Sequence, residues 1–374
     1  MNPDPLSSMT VICSRCGREG SLASVSWKCT CGGCVNLSIP LSQASFSVDP
    51  SLPGLWRYRE LLPPIPDECM VSLGEGFSPL VPAHLGGFDL LVKCDHLFPS
   101  GSFKDRGTSV MISAAKSLDI REILEDSSGN AGASVSFYAA RAGIRCTIVV
   151  PASASSTKKA QITASGATLI EVDGDRAKAA RRAEEMASGI YYASHVYNPF
   201  FLEGTRTAAY ELVEQLNGIA PDRIVLPVGN GTLLLGLYHG FTGLLRQGIV
   251  SRIPELFAVQ WEGCAPLYKS CNHFLSFASS DSLSKSLADG ILIQKPPRLA
   301  EMVQAIKDSK GHVITVTNRE IEEAWRILGK AGFYVEPTAS VAFAAIRAMP
   351  EEFHSRDKNV LFLTGHGLKT GILT

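Results

Sequence analysis

Apolar residues recur along this chain in short continuous runs separated by longer amphipathic stretches. The runs read as strands: LLVKC at 90–94, EILED at 122–126, CTIVV at 146–150, ATLIEV at 167–172, RIVLPV at 223–228, LFAVQW at 256–261, HVITV at 312–316 and NVLFLT at 359–364. Between them the pattern predicts helices starting near Phe103 and over 130–142, 156–165, 174–188, 203–217, 232–246, 298–309, 318–330 and 338–348. Strands alternating with helices predict parallel sheets covered by helices on both faces. The rhythm breaks at 194–203, around Tyr197-Asn198-Pro199, and then resumes, as a chain does on returning from one α/β domain to another. Residues 46–87, rich in Pro and Gly, read as an extended, irregular lead-in, and 274–297 also read as irregular.

A chain of 374 residues is long enough for two or three domains, and 45% hydrophobic against 19% charged residues is an ordinary balance for a packed core. The 35 Lys and Arg are matched by 36 Asp and Glu, so no basic face is implied and nucleic acid is excluded as a partner. MNPDPLSSMT lacks the basic start and apolar run of a signal peptide, and no apolar stretch approaches the roughly 18 residues that span a bilayer. A cytoplasmic protein with no membrane partner is expected.

Ten cysteines fit a reducing compartment, and five of them crowd into a Cys/Gly-rich segment at 11–39 with too few long apolar residues for a core of its own. Cys13-x-x-Cys16 and Cys29-x-Cys31, with Gly17 and Gly32-Gly33 beside them, read as the two knuckles of a zinc ribbon. Four thiolates leave a tetrahedral ion no open position, so such a zinc would be structural. Cys31-x-x-Cys34 has the more usual spacing, which keeps Cys34 open as a ligand, and a degenerate ribbon without metal is the other reading.

Two loops follow predicted strands, the position where ligands gather in open parallel sheets. Ser127-Ser128-Gly129-Asn130 offers donors and acceptors with a glycine that lets backbone approach a ligand; it also reads as a plain helix cap. Gly229-Asn230-Gly231-Thr232 exposes N–H groups at the start of a helix, a site suited to phosphate, or else forms a tight turn. No Gly-Lys-Ser/Thr follows, and the third glycine of a dinucleotide fingerprint is misplaced. Lys104 lies in the first turn of a helix, against the helix dipole. It is either a solvated charge paired with Asp105 or an amine whose proton affinity is lowered by the helix end and Phe103, as Schiff-base chemistry requires.

The segment SGSFKDRG, Ser100 to Gly107, resembles the cofactor-lysine motif of threonine synthase and its relatives among the fold-type II pyridoxal-phosphate (PLP) enzymes. The resemblance continues in family order through SSGNAG at 127–132, GNGT at 229–232, EPTAS at 336–340 and TGHGLK at 364–369, and extends to the cysteine-rich head of some members. It implies two three-layer α/β domains: a large PLP-binding domain from about 40–106 and 204–374, a small one at 107–203, and a tail with the ribbon-like segment at 1–39. It implies that Lys104 holds PLP as a Schiff base and then acts as the mobile acid and base. Asn130 would bond the cofactor 3′-oxygen, and Gly229, Asn230, Gly231, Thr232 and Leu233 would cradle its phosphate. Thr364 would face the pyridine nitrogen, where a hydroxyl leaves the ring largely unprotonated and suits elimination and replacement on amino acids. Ser127, Ser128, Gly129 and Asn198 would bind the substrate.

The resemblance further implies a homodimer acting on a small-molecule amino acid: O-phosphohomoserine and water to threonine and phosphate. The chain departs from the family at Asn-Pro-x-Arg-x-Glu-Gly. Phe201 stands where the arginine helps bind the substrate phosphate, with Arg206, Lys158 and Arg298 as candidate replacements. The alternative is therefore a cysteate-synthase-like β-replacement on phosphoserine, or a serine/threonine ammonia-lyase. A catalytically silent PLP or amino-acid binding protein is opposed by the intact Lys104, Asn130 and Thr364.

Overall fold

A computed structural model describes residues 6, 9–22, 27–39, 46–154, 156–272 and 286–370. Most of the segment read as irregular, 274–285, lies outside the described residues. The strands are β1 (Thr10–Cys13), β2 (Glu19–Ser21), β3 (Val35–Leu37), β4 (Leu80–Leu85), β5 (Phe88–Lys93), β6 (Glu122–Glu125), β7 (Arg145–Pro151), β8 (Thr168–Val172), β9 (Tyr191–Tyr192), β10 (Arg223–Pro227), β11 (Glu255–Trp261), β12 (His312–Val316) and β13 (Asn359–Phe362). The helices are α1 (Lys104–Ser117), α2 (Asn130–Ala142), α3 (Ser156–Thr163), α4 (Arg176–Met186), α5 (Pro199–Gln215), α6 (Thr232–Arg246), α7 (Pro266–Cys271), α8 (Leu299–Asp308), α9 (Asn318–Lys330) and α10 (Pro337–Ala348). No described helix is long and apolar enough to cross a membrane.

The chain forms two compact units, Met1–Gly76 with Phe98–Thr207 and Phe77–Leu97 with Ala208–Thr374. The first holds a parallel sheet in the order β8-β7-β6-β9 and a small antiparallel sheet β2-β1-β3. Alternate residues of a strand point to opposite faces. Ile123, Ile148 and Val150 pack with the apolar residues of α1 and α2, while Leu124 and Val149 pack with Ala179 and Ala183 of α4. Helices therefore cover this sheet on both faces.

The second unit holds a six-stranded sheet in the order β12-β11-β10-β13-β5-β4, parallel except for β4. Val225, Phe257, Val259 and Leu361 pack against α9 and α10. The intervening Ile224, Leu226, Leu256, Ala258, Val360 and Phe362 are buried as well. Burial on both faces is why these strands read as unbroken apolar runs.

Two elements differ from the sequence reading. β4 falls in the stretch read as irregular because it contains Pro82; as an edge strand it can spare the missing N–H. The break at 194–203 hides the start of α5. Pro199 opens that helix, where a proline costs no hydrogen bond, and Asn198 Oδ1 accepts from the Phe200 N–H at 3.1 Å.

Candidate active site

In the first unit, α1 begins at Lys104, after a turn in which Gly101 has φ 78°. Asp105 fastens that turn. Its Oδ2 accepts from the Ser100 N–H at 2.8 Å, and its Oδ1 accepts from Ser134 Oγ of α2 at 2.6 Å and from Ser100 Oγ. Burial pushes the Asp105 carboxyl up to about 6, against the pull of these hydrogen bonds. The lysine is thereby fixed through its neighbour, and its own Nζ lies 4.7 Å from the Phe103 ring centroid and 5.6 Å from that of Phe201. Ser102 Oγ, fully buried two residues before the lysine, meets no hydrogen-bond partner among the described residues.

Ser127, Ser128 and Gly129 leave the carboxyl end of β6 and enter α2 at Asn130, with Gly129 as N-cap. The loop lies tightly on the helix: a Cβ at Gly132 would fall 1.8 Å from the Ser127 carbonyl oxygen. At Gly129 the nearest such neighbour is Ser127 Oγ at 3.9 Å, so that backbone faces room for a ligand. Asn198 is buried, and besides capping α5 it donates through Nδ2 to Tyr191 Oη at 2.7 Å.

Phe201 is fully buried, with its ring over Gly107 of α1; a Cβ there would come within 2.6 Å of the ring. Of the cations considered as replacements for an arginine at 201, Arg206 pairs with Glu203 at 2.8 Å and Arg298 with Glu301 at 3.0 Å. The sequence reading missed two residues of this unit. Glu125, the last residue of β6, and His195, in the segment before α5, are both buried, with His195 Nδ1 2.7 Å from Glu125 Oε1.

In the second unit, β10 and β13 are neighbours, with Val225 opposite Leu361. The loop Gly229–Thr232 and Thr364 therefore follow the carboxyl ends of two adjacent parallel strands, at the same end of the sheet. The N-cap of α6 is Gly231, with φ 80°, which has no side chain to cap the helix. A Cβ there would lie 2.0 Å from Met302 Sδ. The positive end of the α6 dipole, reached through backbone with no side chain at the cap, suits an anion. Thr364 is buried. The EPTAS and TGHGLK segments meet beside it, the Glu336 N–H donating to the Gly365 carbonyl at 3.0 Å and Val335 bridging to His366. His366 Nδ1 accepts from the Leu368 N–H at 3.1 Å, and burial lowers its proton affinity, so it is a loop anchor in neutral form.

These residues fit PLP, each unit on its own terms. The first offers a held lysine with an unpartnered buried hydroxyl beside it, and the second a glycine-capped helix start for a phosphate with a buried threonine at the next strand.

The N-terminal sheet gathers Cys13, Cys16, Cys29 and Cys31, whose sulfurs all lie within 4.8 Å of one another. Cys13 and Cys31 sulfurs are 3.5 Å apart and those of Cys16 and Cys29 3.8 Å, close to the roughly 3.8 Å edge of a tetrahedral tetrathiolate site with bonds of about 2.3 Å. The group could hold a metal ion. Cys34 is not part of it; its carbonyl accepts from the Ser14 N–H at 2.9 Å.

The family profile described as "Pyridoxal-phosphate dependent enzyme" matches residues 71–365. The threonine synthase of Methanocaldococcus jannaschii is 32% identical over 372 residues, covering 96% of this chain and 92% of that protein. The threonine synthase of Mycobacterium leprae is 34% identical over 322 residues, 83% of this chain and 87% of the relative. Among solved structures, the serine racemase from Dictyostelium discoideum superposes with a TM-score of 0.65 at 25% identity, covering 78% of this chain and 92% of that one.

Proposed function

The chain belongs to the family of pyridoxal-phosphate dependent enzymes, and from that premise we propose that it converts O-phosphohomoserine and water to threonine and phosphate, with Lys104 as the cofactor lysine. The observation that carries this reading is the end-to-end agreement with threonine synthases, over 96% of the chain and 92% of the Methanocaldococcus enzyme.

When bound, PLP supplies the electron sink that lets a bond at the α-carbon of an amino acid break. The protein supplies position and protons. Lys104, fixed through Asp105 and set against two aromatic rings, removes the α-proton and relays protons to the neighbouring carbons. The Ser127–Gly129 loop would hold the substrate carboxylate at the start of α2, where the helix dipole favours an anion, and Asn130 would bond the cofactor 3′-oxygen. Gly229, Asn230, Gly231, Thr232 and Leu233 would hold the cofactor phosphate at the start of α6. Thr364 would face the ring nitrogen. Asn198 acts through α5, whose start it caps, and so orients the segment that carries Phe201.

Phe201 favours a second reading. A γ-phosphate carries close to two charges, and burying it against a phenyl ring without a cation costs several kcal/mol. With Arg206 and Arg298 already paired to carboxylates, an ammonia-lyase acting on serine or threonine, which bring no phosphate, asks less of this site, whereas a β-replacement on phosphoserine would bring the same charge one carbon nearer the α-carbon. Purified enzyme should be offered phosphohomoserine, phosphoserine, serine and threonine in turn. Threonine and phosphate formed in equal amounts from phosphohomoserine is the expected result. Turnover of the other three substrates alone would establish the second reading instead, and turnover of none would end both.

We also propose that the four-cysteine group binds one structural zinc per chain. Elemental analysis after preparation under reducing conditions without chelator should return one zinc. Cys29→Ser should lose it and Cys34→Ser keep it. A metal-free wild type would contradict the assignment.

A further inference from the structure

Glu125 and His195 take no part in the chemistry above, yet a single aromatic ring joins them to the residue that does. The Glu125 carboxyl is fully buried at the end of β6, and one of its oxygens lies 2.7 Å from His195 Nδ1. Its other oxygen, Oε2, meets no hydrogen-bond partner among the described residues. The Phe201 ring links the pair to the lysine. It lies 5.6 Å from Lys104 Nζ and, edge to face, 6.0 Å from the His195 ring. A contact serving only to pin the segment before α5 has no need of an ionisable group, since a buried carboxyl with an unbonded oxygen is costly to keep. A group that exchanges a proton with its surroundings does need one.

We propose that Glu125 and His195 are positioning residues that hold one exchangeable proton beside Lys104 and so set the pH range in which the lysine nitrogen carries its own. The inference rests on Lys104 being the cofactor lysine. Burial raises the Glu125 carboxyl well above its ordinary range, the charge of Asp126 adds to this, and the charges of Lys104 and Arg176 oppose it. Burial holds His195 well below its ordinary value, with Lys104 and Arg176 acting the same way. Cys146 on β7 and Tyr192 on β9 also face Glu125, and burial keeps both in their neutral forms. Tyr192 Oη meanwhile donates to Asp126 Oδ1 at 2.7 Å. Burial thus favours the acid form of Glu125. Passing that proton from the carboxyl to the lysine nitrogen leaves a carboxylate that stabilises the positive charge so formed, and the pair gains and loses its one proton as a unit.

The test uses the holoenzyme and reads the visible Schiff-base band as a function of pH. Removing the carboxyl takes away the anion that stabilises a protonated nitrogen, so Glu125→Gln should lower the midpoint by about 1 unit, a tenfold loss of proton affinity. His195→Gln leaves the carboxyl without its partner and should lower the midpoint less, in the same direction. Should Glu125→Gln not fold, His195→Gln decides, a lowered midpoint supporting the proposal. An unchanged midpoint in the folded variants overturns the proposal, as does a wild-type band that does not titrate. Retention of a borohydride-reducible band in Lys104→Ala would instead overturn the reading of Lys104 itself, so the two failures are distinguishable.

Discussion

Alanine in place of Lys104 will abolish turnover to within measurement, a loss of about 10³-fold or more, while the protein stays folded. The side chain contributes little to packing. It lies on the surfaces of Phe103 and Phe201 without being part of the core, and α1 is held by Asp105, which the substitution leaves in place. What disappears is the amine proposed to move a proton at the α-carbon. Steady-state rates with each candidate substrate, alongside an unfolding curve, check the expectation. A variant that unfolds as readily as wild type yet keeps a tenth of its activity would mean another base does the work.

Gly132→Ala should be nearly as damaging by another route. The new methyl would fall 1.8 Å from the Ser127 carbonyl oxygen, a backbone atom that cannot swing aside as a long side chain could. Either α2 shifts or the Ser127–Gly129 loop lifts, at a cost of about 3 kcal/mol. Urea denaturation should show this loss, and the Michaelis constant should rise at least tenfold because the displaced loop is the one assigned to the substrate carboxylate. Wild-type values for both would show that the loop is neither tightly seated nor part of the site.

How much of this was legible in the residues depended on whether the signal was local. RIVLP and ELFAVQW announce themselves because both faces of β10 and β11 are buried, which leaves no polar alternation to confuse them with an edge. β4 stayed hidden because Pro82 reads as a break unless the strand is known to lie at an edge, and strand order is not a local property. Asn198-Pro199 was read as a break for a similar reason, although an Asn before a Pro at the first helical position is also a start signal. Lys104, the two loops and Thr364 could be found because each sits in a short motif. Glu125 and His195 could not. A glutamate at a strand end and a single histidine in a loop are ordinary separately, and only the 2.7 Å contact across 70 positions of chain makes them a pair. The cysteines fall between these cases. Their spacing offered Cys29 and Cys34 alike, and the fold gathers Cys29 with Cys13, Cys16 and Cys31.

Lys104 is the proposed carrier of the cofactor. Borohydride reduction of the yellow holoenzyme, followed by proteolysis and mass mapping, fixes the carrier covalently and reads it directly. The account predicts a phosphopyridoxyl group on the peptide containing Lys104 and a colourless protein after reduction. The same modification on any other lysine, with Lys104 recovered unaltered, would contradict it.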